Sequence, residues 1–354
     1  MEDIKEIPLI EIMGKPRERG HQQGEGARLQ IQGMVTAYRT FSWGGDDKKW
    51  LGAREKAKRY FPPAVASFPE YIEELQAIAE GANVSFEDVW LLNCFEEVFC
   101  EYSVSSCSNV AVSNDRTENG HVLLAHNEDW ISVDRNHLYL LRVKPQNQPA
   151  FLSLTYGALL ANIGFNEEGI GVAINSVYHR DNNLSVPRVV YSRAVLSART
   201  IEEAIAKSTF EDRSGGYNFT LADANGELCC VECSADVHDI IPGINGWIAH
   251  TNHYQSSKMQ TLEIPGQYAG SNARLNRLRQ LVGYTSRELT VQHLQTILAD
   301  HANQPDSICC HKKPNEQPYE GSQTIASLIM DLNERKMWIS LGVPCQGNFK
   351  MHDL

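Results

Sequence analysis

From about residue 105 to the C-terminus, short β-branched runs alternate with turn signals, and this spacing constrains the fold more than any other feature. Runs at 159–166 and 170–176 flank Glu167-Glu168-Gly169. Runs at 217–223 and 227–233 flank Ala224-Asn225-Gly226, and runs at 324–332 and 336–341 flank Asn333-Glu334-Arg335. Turns this short can only close antiparallel pairs, because parallel strands need a long crossover. Further runs at 109–113, 121–126, 138–143 and 151–156 add strands, and helical stretches at 189–197, 201–208, 273–282 and 291–301 lie between them.

The preceding hundred residues read as helices. Residues 18–41 lack strand alternation. The stretch 64–81 carries Tyr71, Ile72, Leu75, Ile78 and Ala79 at helical spacing, with Gly81 as its C-cap. Ser85, with Asp88 three residues on, N-caps a further helix that runs through Trp90, Leu91, Leu92 and Phe95. No internal repeat or low-complexity linker interrupts the chain. Helices grouped before and between meanders imply an α+β fold, with antiparallel sheets covered by helices.

Composition removes several functions. The 354 residues hold 32 Lys+Arg against 44 Asp+Glu, a formal charge of −12, which opposes nucleic-acid and anionic-membrane partners. Hydrophobic residues at 42% exclude wholesale disorder. No run approaches the ~18 apolar residues of a membrane span. The acidic start, residues 1–6, lacks the features of a secretory signal, so a cytoplasmic protein with mostly free thiols is expected. Nine cysteines cannot all pair within the chain. Cys229, Cys230 and Cys233 would need Cys309 and Cys310 to complete a zinc site, and they read better as apolar residues of a strand after an Asn-Gly turn. His250 and His253 have no evident third ligand. No metal and no bound cofactor are therefore expected.

The composition change falls on Val104-Ser105-Ser106-Cys107-Ser108-Asn109. By position alone, Cys107 is a buried core thiol at the head of a strand. Further along come His126-Asn127-Glu128-Asp129-Trp130, the stretch 164–175 ending in Asn175, His250-Thr251-Asn252-His253 and Ser307-Ile308-Cys309-Cys310-His311. With Arg19-Gly20-His21-Gln22-Gln23-Gly24 and the stretch 74–82, they follow one another in an order that resembles the acyl-coenzyme A:6-aminopenicillanate acyltransferase family of N-terminal-nucleophile (Ntn) hydrolases. More distantly, they resemble bile-salt hydrolases and penicillin V acylases.

The resemblance implies a four-layer αββα sandwich and autocatalytic cleavage between Ser106 and Cys107. One fold would then be cut into a helical segment, 1–106, and a β-rich catalytic segment, 107–354. Cys107 would carry both nucleophile and base, since a free α-amino group has a pKa near ~7.7–8.0, suited to proton transfer at working pH. Asn175 and Asn252 match the family's oxyanion amides, although each could instead bond strand-end backbone. Asp129 matches the aspartate that holds the nucleophile's amine, although it could cap a turn before Trp130. Three positions depart from the family pattern. Ser106 replaces a common glycine, His126 stands where bile-salt-hydrolase relatives carry arginine, and Cys310 replaces an arginine near the amine. His311, Lys312 or another anchor is left to supply that charge, and the surroundings of Cys107 are expected to be less positive than in relatives.

The leading expectation is an amidohydrolase for a small N-acyl or N-aminoacyl amide, working through a Cys107 acyl-enzyme. The second is an acyltransferase that takes an acyl-CoA donor and an amine acceptor. The third is a non-catalytic ligand-binding relative. The partner is a small amide or thioester, and the oligomeric state is left open.

Overall fold

The computed structural model describes residues 5–41, 44–99, 106–264, 270–285, 288–317 and 319–354. Val104 and Ser105 of the nucleophile motif lie outside them. Among the described residues, two sheets are seen. The larger runs in the order β1 (Leu9–Gly14), β4 (Leu138–Pro145), β5 (Phe151–Tyr156), β6 (Ile163–Asn166), β7 (Ile170–Ser176), β8 (Tyr217–Asp223), β9 (Leu228–Cys233) and β10 (His238–Pro242). The smaller runs β11 (Trp247–His250), β2 (Ser108–Val112), β3 (Leu123–Trp130), β12 (Gln323–Asp331), β13 (Lys336–Leu341) and β14 (Lys350–Asp353). Every neighbouring pair is antiparallel except β1 with β4.

The helices are α1 (Pro16–Gly26), α2 (Arg28–Phe41), α3 (Asp47–Lys58), α4 (Phe61–Ser67), α5 (Pro69–Ala82), α6 (Phe86–Asn93) and α7 (Phe95–Val98), then α8 (Arg188–Ser192) and α9 (Ile201–Ser208), then α10 (Ser257–Gln260), α11 (Ser271–Leu278) and α12 (Val291–Leu298). Helices α1 and α9 pack on the larger sheet and α11 and α12 on the smaller, while β2, β3 and β11 face β7, β8 and β9. The result is the expected α+β fold in αββα layers.

Strand periodicity sorts side chains between the layers. Val110, Val112, Leu123 and Ala125 join Leu275, Leu278 and Leu294 under the helices of the smaller sheet. Their neighbours Ala111, Leu124 and Trp130 belong to the main core with Phe165, Val172 and Phe219. The same alternation decides which way each polar residue of β2 and β3 points.

Three expectations need correction. The first 106 residues are not wholly helical, because Leu9–Gly14 forms an edge strand parallel to β4 and buries Ile12. The single helix read over 64–81 is two. Phe68, in a non-helical conformation before Pro69, separates α4 from α5. Gly81 is not the cap, since α5 ends on left-handed Asn83 (φ 55°). Gly81 instead lets α5 touch α1. A Cβ there would stand 2.4 Å from the His21 carbonyl oxygen, and one on Gly24 would stand 2.4 Å from that of Ile78. At this seam the buried Arg19 guanidinium meets Glu74 at 2.6 Å.

Candidate active site

Cys107 lies at the head of β2 and is 4% exposed. Its position and those of Asn109 and Ala111 alternate with Ser108, Val110 and Val112, so the thiol faces the sheet interface and Ser108 faces α11. On the neighbouring β3, His126, Glu128 and Trp130 share the thiol's side, and Asn127 and Asp129 point to the helices. The thiol therefore meets Glu128, with Sγ 4.0 Å from Oε2, and Sγ also lies 3.7 Å from the Asp129 carbonyl oxygen.

The carboxylate of Asp129 lies on the opposite face. Thr324, on β12, donates from Oγ1 to Asp129 Oδ1 at 2.6 Å. Asp129 Oδ2 is buried and has no hydrogen-bond partner among the described residues. Burial pushes this carboxyl well above the usual range, while Arg274 and the Thr324 hydroxyl pull it back. Asp129 is thus a strand residue inside the core and does not cap a turn.

Arg274 of α11 is a candidate site residue that the sequence reading missed. Its buried guanidinium donates from Nη1 to the Cys107 carbonyl oxygen at 2.6 Å, to Ser108 Oγ at 3.1 Å and to the Ser106 carbonyl oxygen. Its Nη2 donates to Asn252 Oδ1 at 2.9 Å. The surroundings of Cys107 are therefore not short of positive charge. The cation that reaches the Cys107 backbone is a helix residue 22 positions beyond Asn252. Cys310 reaches the neighbourhood of Asp129 through its backbone and Thr324. Its N–H donates to Thr324 Oγ1 at 3.0 Å, and burial pushes its thiol up to about 12.

The two amides occupy different places. Asn252 follows β11, and its Nδ2 donates to the Ser176 carbonyl oxygen at 3.0 Å. With Oδ1 on Arg274, it ties the end of β7 to α11. Asn175 lies between the sheets, where its Oδ1 accepts from Asn109 Nδ2 and Asn218 Nδ2, each at 2.9 Å. Its Nδ2 is buried without a partner among the described residues. Asn109 continues the network, with Oδ1 2.5 Å from His126 Nδ1, and His126 Nε2 lies 2.8 Å from Glu128 Oε2. A chain of buried polar groups thus runs from Asn175 to the carboxylate beside the thiol. Both ring nitrogens of His126 face oxygen acceptors.

The thiol lines a cavity that opens to solvent. Trp130, Phe95, Tyr156 and Ile174 give it apolar walls, and Glu96 and Glu128 give it two carboxylates. Glu96 accepts from the Tyr217 hydroxyl and, at 2.9 Å, from Ser176 Oγ. Burial pushes the Glu96 carboxyl up, opposed first by Arg188. An adjoining hollow shares Phe95, Glu96 and Trp130 with the first.

His250 and His253 have structural partners. His250 Nε2 lies 2.8 Å from Glu232 Oε1, a buried pair joining β11 to β9, and His253 Nδ1 lies 2.7 Å from Ser271 Oγ. Cys229, Cys230 and Cys233 stand in β9 after the Asn225-Gly226 turn, as the pattern implies.

Comparison with known proteins gives the family. A family model described as acyl-coenzyme A:6-aminopenicillanic acid acyl-transferase matches residues 116–346. The chain is 24% identical over 338 residues, 95% of its length and 92% of the relative's, to the 40 kDa form of acyl-coenzyme A:6-aminopenicillanic-acid-acyltransferase of Emericella nidulans. It is 27% identical over 190 residues, 46% of its length and 48% of the relative's, to the beta-alanyl-dopamine/carcinine hydrolase of Drosophila melanogaster. Among solved structures, a variant of conjugated bile acid hydrolase from Clostridium perfringens matches with a TM-score of 0.47 at 13% identity, covering 70% of this chain and 97% of that one. Penicillin V acylase from Agrobacterium tumefaciens matches with a TM-score of 0.40 at 14% identity, covering 70% and 86%.

Proposed function

The chain belongs to the acyl-coenzyme A:6-aminopenicillanic acid acyl-transferase family, enzymes acting on amide bonds, and from that premise we propose an Ntn amidohydrolase that matures by cutting itself between Ser106 and Cys107. The observation that carries the reading is Arg274 Nη1, which donates to the carbonyl oxygens of both Ser106 and Cys107. In the uncut chain, Cys107 Sγ attacks the Ser106 carbonyl carbon. Negative charge then gathers on the oxygen that already faces the guanidinium. A preorganised donor at such an oxygen is worth roughly 10²–10³ in rate. Collapse breaks the C–N bond, puts a proton on the Cys107 nitrogen and leaves a thioester to Ser106. Water opens that thioester to the Ser106 carboxylate and the free thiol.

The new α-amino group is the general base. It takes the thiol proton as Sγ attacks the substrate carbonyl, and it returns a proton to the departing amine. Asp129 Oδ2, buried and unpartnered, supplies the acceptor that orients this amine. Asn175, whose Nδ2 is likewise unpartnered, and Asn252 are the amides assigned to the oxyanion. Water resolves the acyl-enzyme.

The preferred substrate is an N-aminoacyl amide of a small amine. Its ammonium would meet Glu96 or Glu128, and its apolar part the aromatic walls. The relative named as a beta-alanyl-dopamine/carcinine hydrolase supports the same class. The second reading, acyl transfer from a CoA thioester to an amine, follows from the acyltransferase relative and uses the same acyl-enzyme.

Intact mass and turnover test the proposal together. Wild type should give two fragments divided before Cys107, and Cys107→Ala one uncut, inactive chain. Release of amine from β-alanyl amides, with no gain on adding acyl-CoA, supports hydrolysis. Turnover only with acyl-CoA and an amine supports the transferase. An uncut wild type inactive in both assays refutes the enzyme reading.

A further inference from the structure

Four metal-binding side chains converge away from the cavity. His301 follows α12, Cys309 and His311 flank Cys310, and Cys345 lies in the turn after β13, held by Gln346 N–H on the Val343 carbonyl oxygen at 3.1 Å. His301 Nε2 and His311 Nε2 are 3.0 Å apart. The sulfurs of Cys309 and Cys345 each lie 3.4 Å from His311 Nε2. All four ligand atoms fall within 4.8 Å of one another.

Hydrogen bonding does not account for this arrangement. One ring nitrogen serves one hydrogen bond, as donor or acceptor, yet three polar atoms crowd His311 Nε2. A tetrahedral ion does account for it. With Zn–N near 2.0–2.1 Å and Zn–S near 2.3 Å, ligand edges are about 3.3 Å for N–N and about 3.6 Å for N–S. The observed separations are close to these and need only a few tenths of an ångström of expansion. Two thiolates and two neutral imidazoles form a soft, four-coordinate donor set that leaves no open position, as structural zinc sites do.

We infer that His301, Cys309, His311 and Cys345 bind a structural Zn²⁺ ion. The sequence reading expected no metal and, as ligands, weighed Cys309 and Cys310 as partners of Cys229, Cys230 and Cys233. Binding displaces one proton from each thiol to solvent, and the two negative sulfurs neutralise the ion. The site joins the stretch 301–311 to Cys345, 34 residues further on, and it grips both neighbours of Cys310. Cys310 donates its N–H to Thr324, and Thr324 holds Asp129. The ion thereby braces the hydrogen bonds that hold Asp129, without touching substrate.

The full chain, purified with a thiol reductant from zinc-supplemented cells and dialysed against metal-free buffer, tests this by elemental analysis. Wild type should hold about one zinc per chain. Cys345→Ser and His301→Ala, both altering exposed residues, should each lose most of it and melt at lower temperature. Cobalt loaded in place of zinc should give thiolate-to-metal charge-transfer absorption that Cys345→Ser weakens. Wild type holding no more zinc than Cys345→Ser overturns the site. So does an intact mass showing Cys309 and Cys345 joined as a disulfide under those reducing conditions. None of these readouts depends on amidase activity.

Discussion

Arg274 Nη1 stands 2.6 Å from the carbonyl oxygen of Cys107, so a guanidinium on α11 is aimed at the backbone on which the proposed nucleophile is carried. A buried guanidinium is costly to desolvate unless it is paired. Here burial lowers its pKa, opposed first by Asp129 and then by the thiols of Cys310 and Cys107. Such a charge is worth retaining where an oxyanion develops.

Replacing this side chain should therefore slow maturation before it affects anything else. Arg274→Gln is expected to reduce the rate of the Ser106–Cys107 cut by about 10²–10³-fold, the range for loss of an oxyanion donor. Arg274→Lys should fall between it and wild type, because lysine keeps the charge but not the fork that reaches Cys107 and Asn252 together. Appearance of the two fragments with time, followed by gel or mass, gives the rates. Cutting of Arg274→Gln at the wild-type rate would remove Arg274 from the mechanism.

Asp129 sets a pH dependence with a definite sign. Its folded pKa is raised by burial. Between the ordinary carboxyl value near ~3.9 and that raised value, the folded chain holds a proton that the unfolded chain has lost. Stability therefore falls as pH rises through this window and stays lower above it. In the uncut Cys107→Ala background, adding Asp129→Asn should raise the melting temperature at neutral pH and leave it nearly unchanged in acid. A constant difference across the pH range would refute the assignment. In the wild-type background the same substitution should stop turnover, since it removes the charge that orients the amine.

Much of the fold was legible because the hairpins announce themselves through short turns, and the order of Cys107, Asp129, Asn175 and Asn252 pointed to the candidate site. Arg274 was not legible. It belongs to no motif, and only the packing of α11 on the smaller sheet brings it to Cys107. Glu128 was within reach of the sequence, since alternation along β3 puts it on the thiol's side and Asp129 on the other. Reading the strand only as far as His126, when it continues to Trp130, hid that signal. The four zinc ligands escaped because Cys345 lies 34 residues beyond His311, and only the return of β13 brings it back. Gly81 was misread because capping and close helix packing both favour glycine.

Glu96 should act on recognition more than on chemistry. It lines the cavity, but no described contact joins it to Cys107. A charge-assisted hydrogen bond contributes about 1.5–3 kcal/mol, or roughly 10–100-fold in binding. Glu96→Gln is thus expected to raise KM for an N-aminoacyl amide by that factor with little change in kcat. A neutral N-acyl analogue should be hardly affected. Equal losses on both substrates would show that Glu96 supports the pocket's shape and not an ammonium. Steady-state kinetics on a matched pair of amides makes the distinction.

The seam between α1 and α5 gives a prediction in which one substitution has opposite signs at two sites. Both Gly24 and Gly52 lie within helices, where alanine is favoured over glycine by roughly 0.5–1 kcal/mol. At Gly52, on exposed α3, an added Cβ has nothing within 4 Å, so Gly52→Ala should stabilise by about that amount. At Gly24 the Cβ would stand 2.4 Å from the Ile78 carbonyl oxygen and 2.8 Å from the Ala82 nitrogen. Both are backbone atoms that cannot swing aside, and the clash should outweigh the helix preference. Gly24→Ala is expected to destabilise by about 1–3 kcal/mol net, the usual cost of overpacking. Urea midpoints of the two variants give the comparison. If Gly24→Ala matched Gly52→Ala, α1 and α5 would not be in backbone contact, and the glycines of this seam would need another explanation.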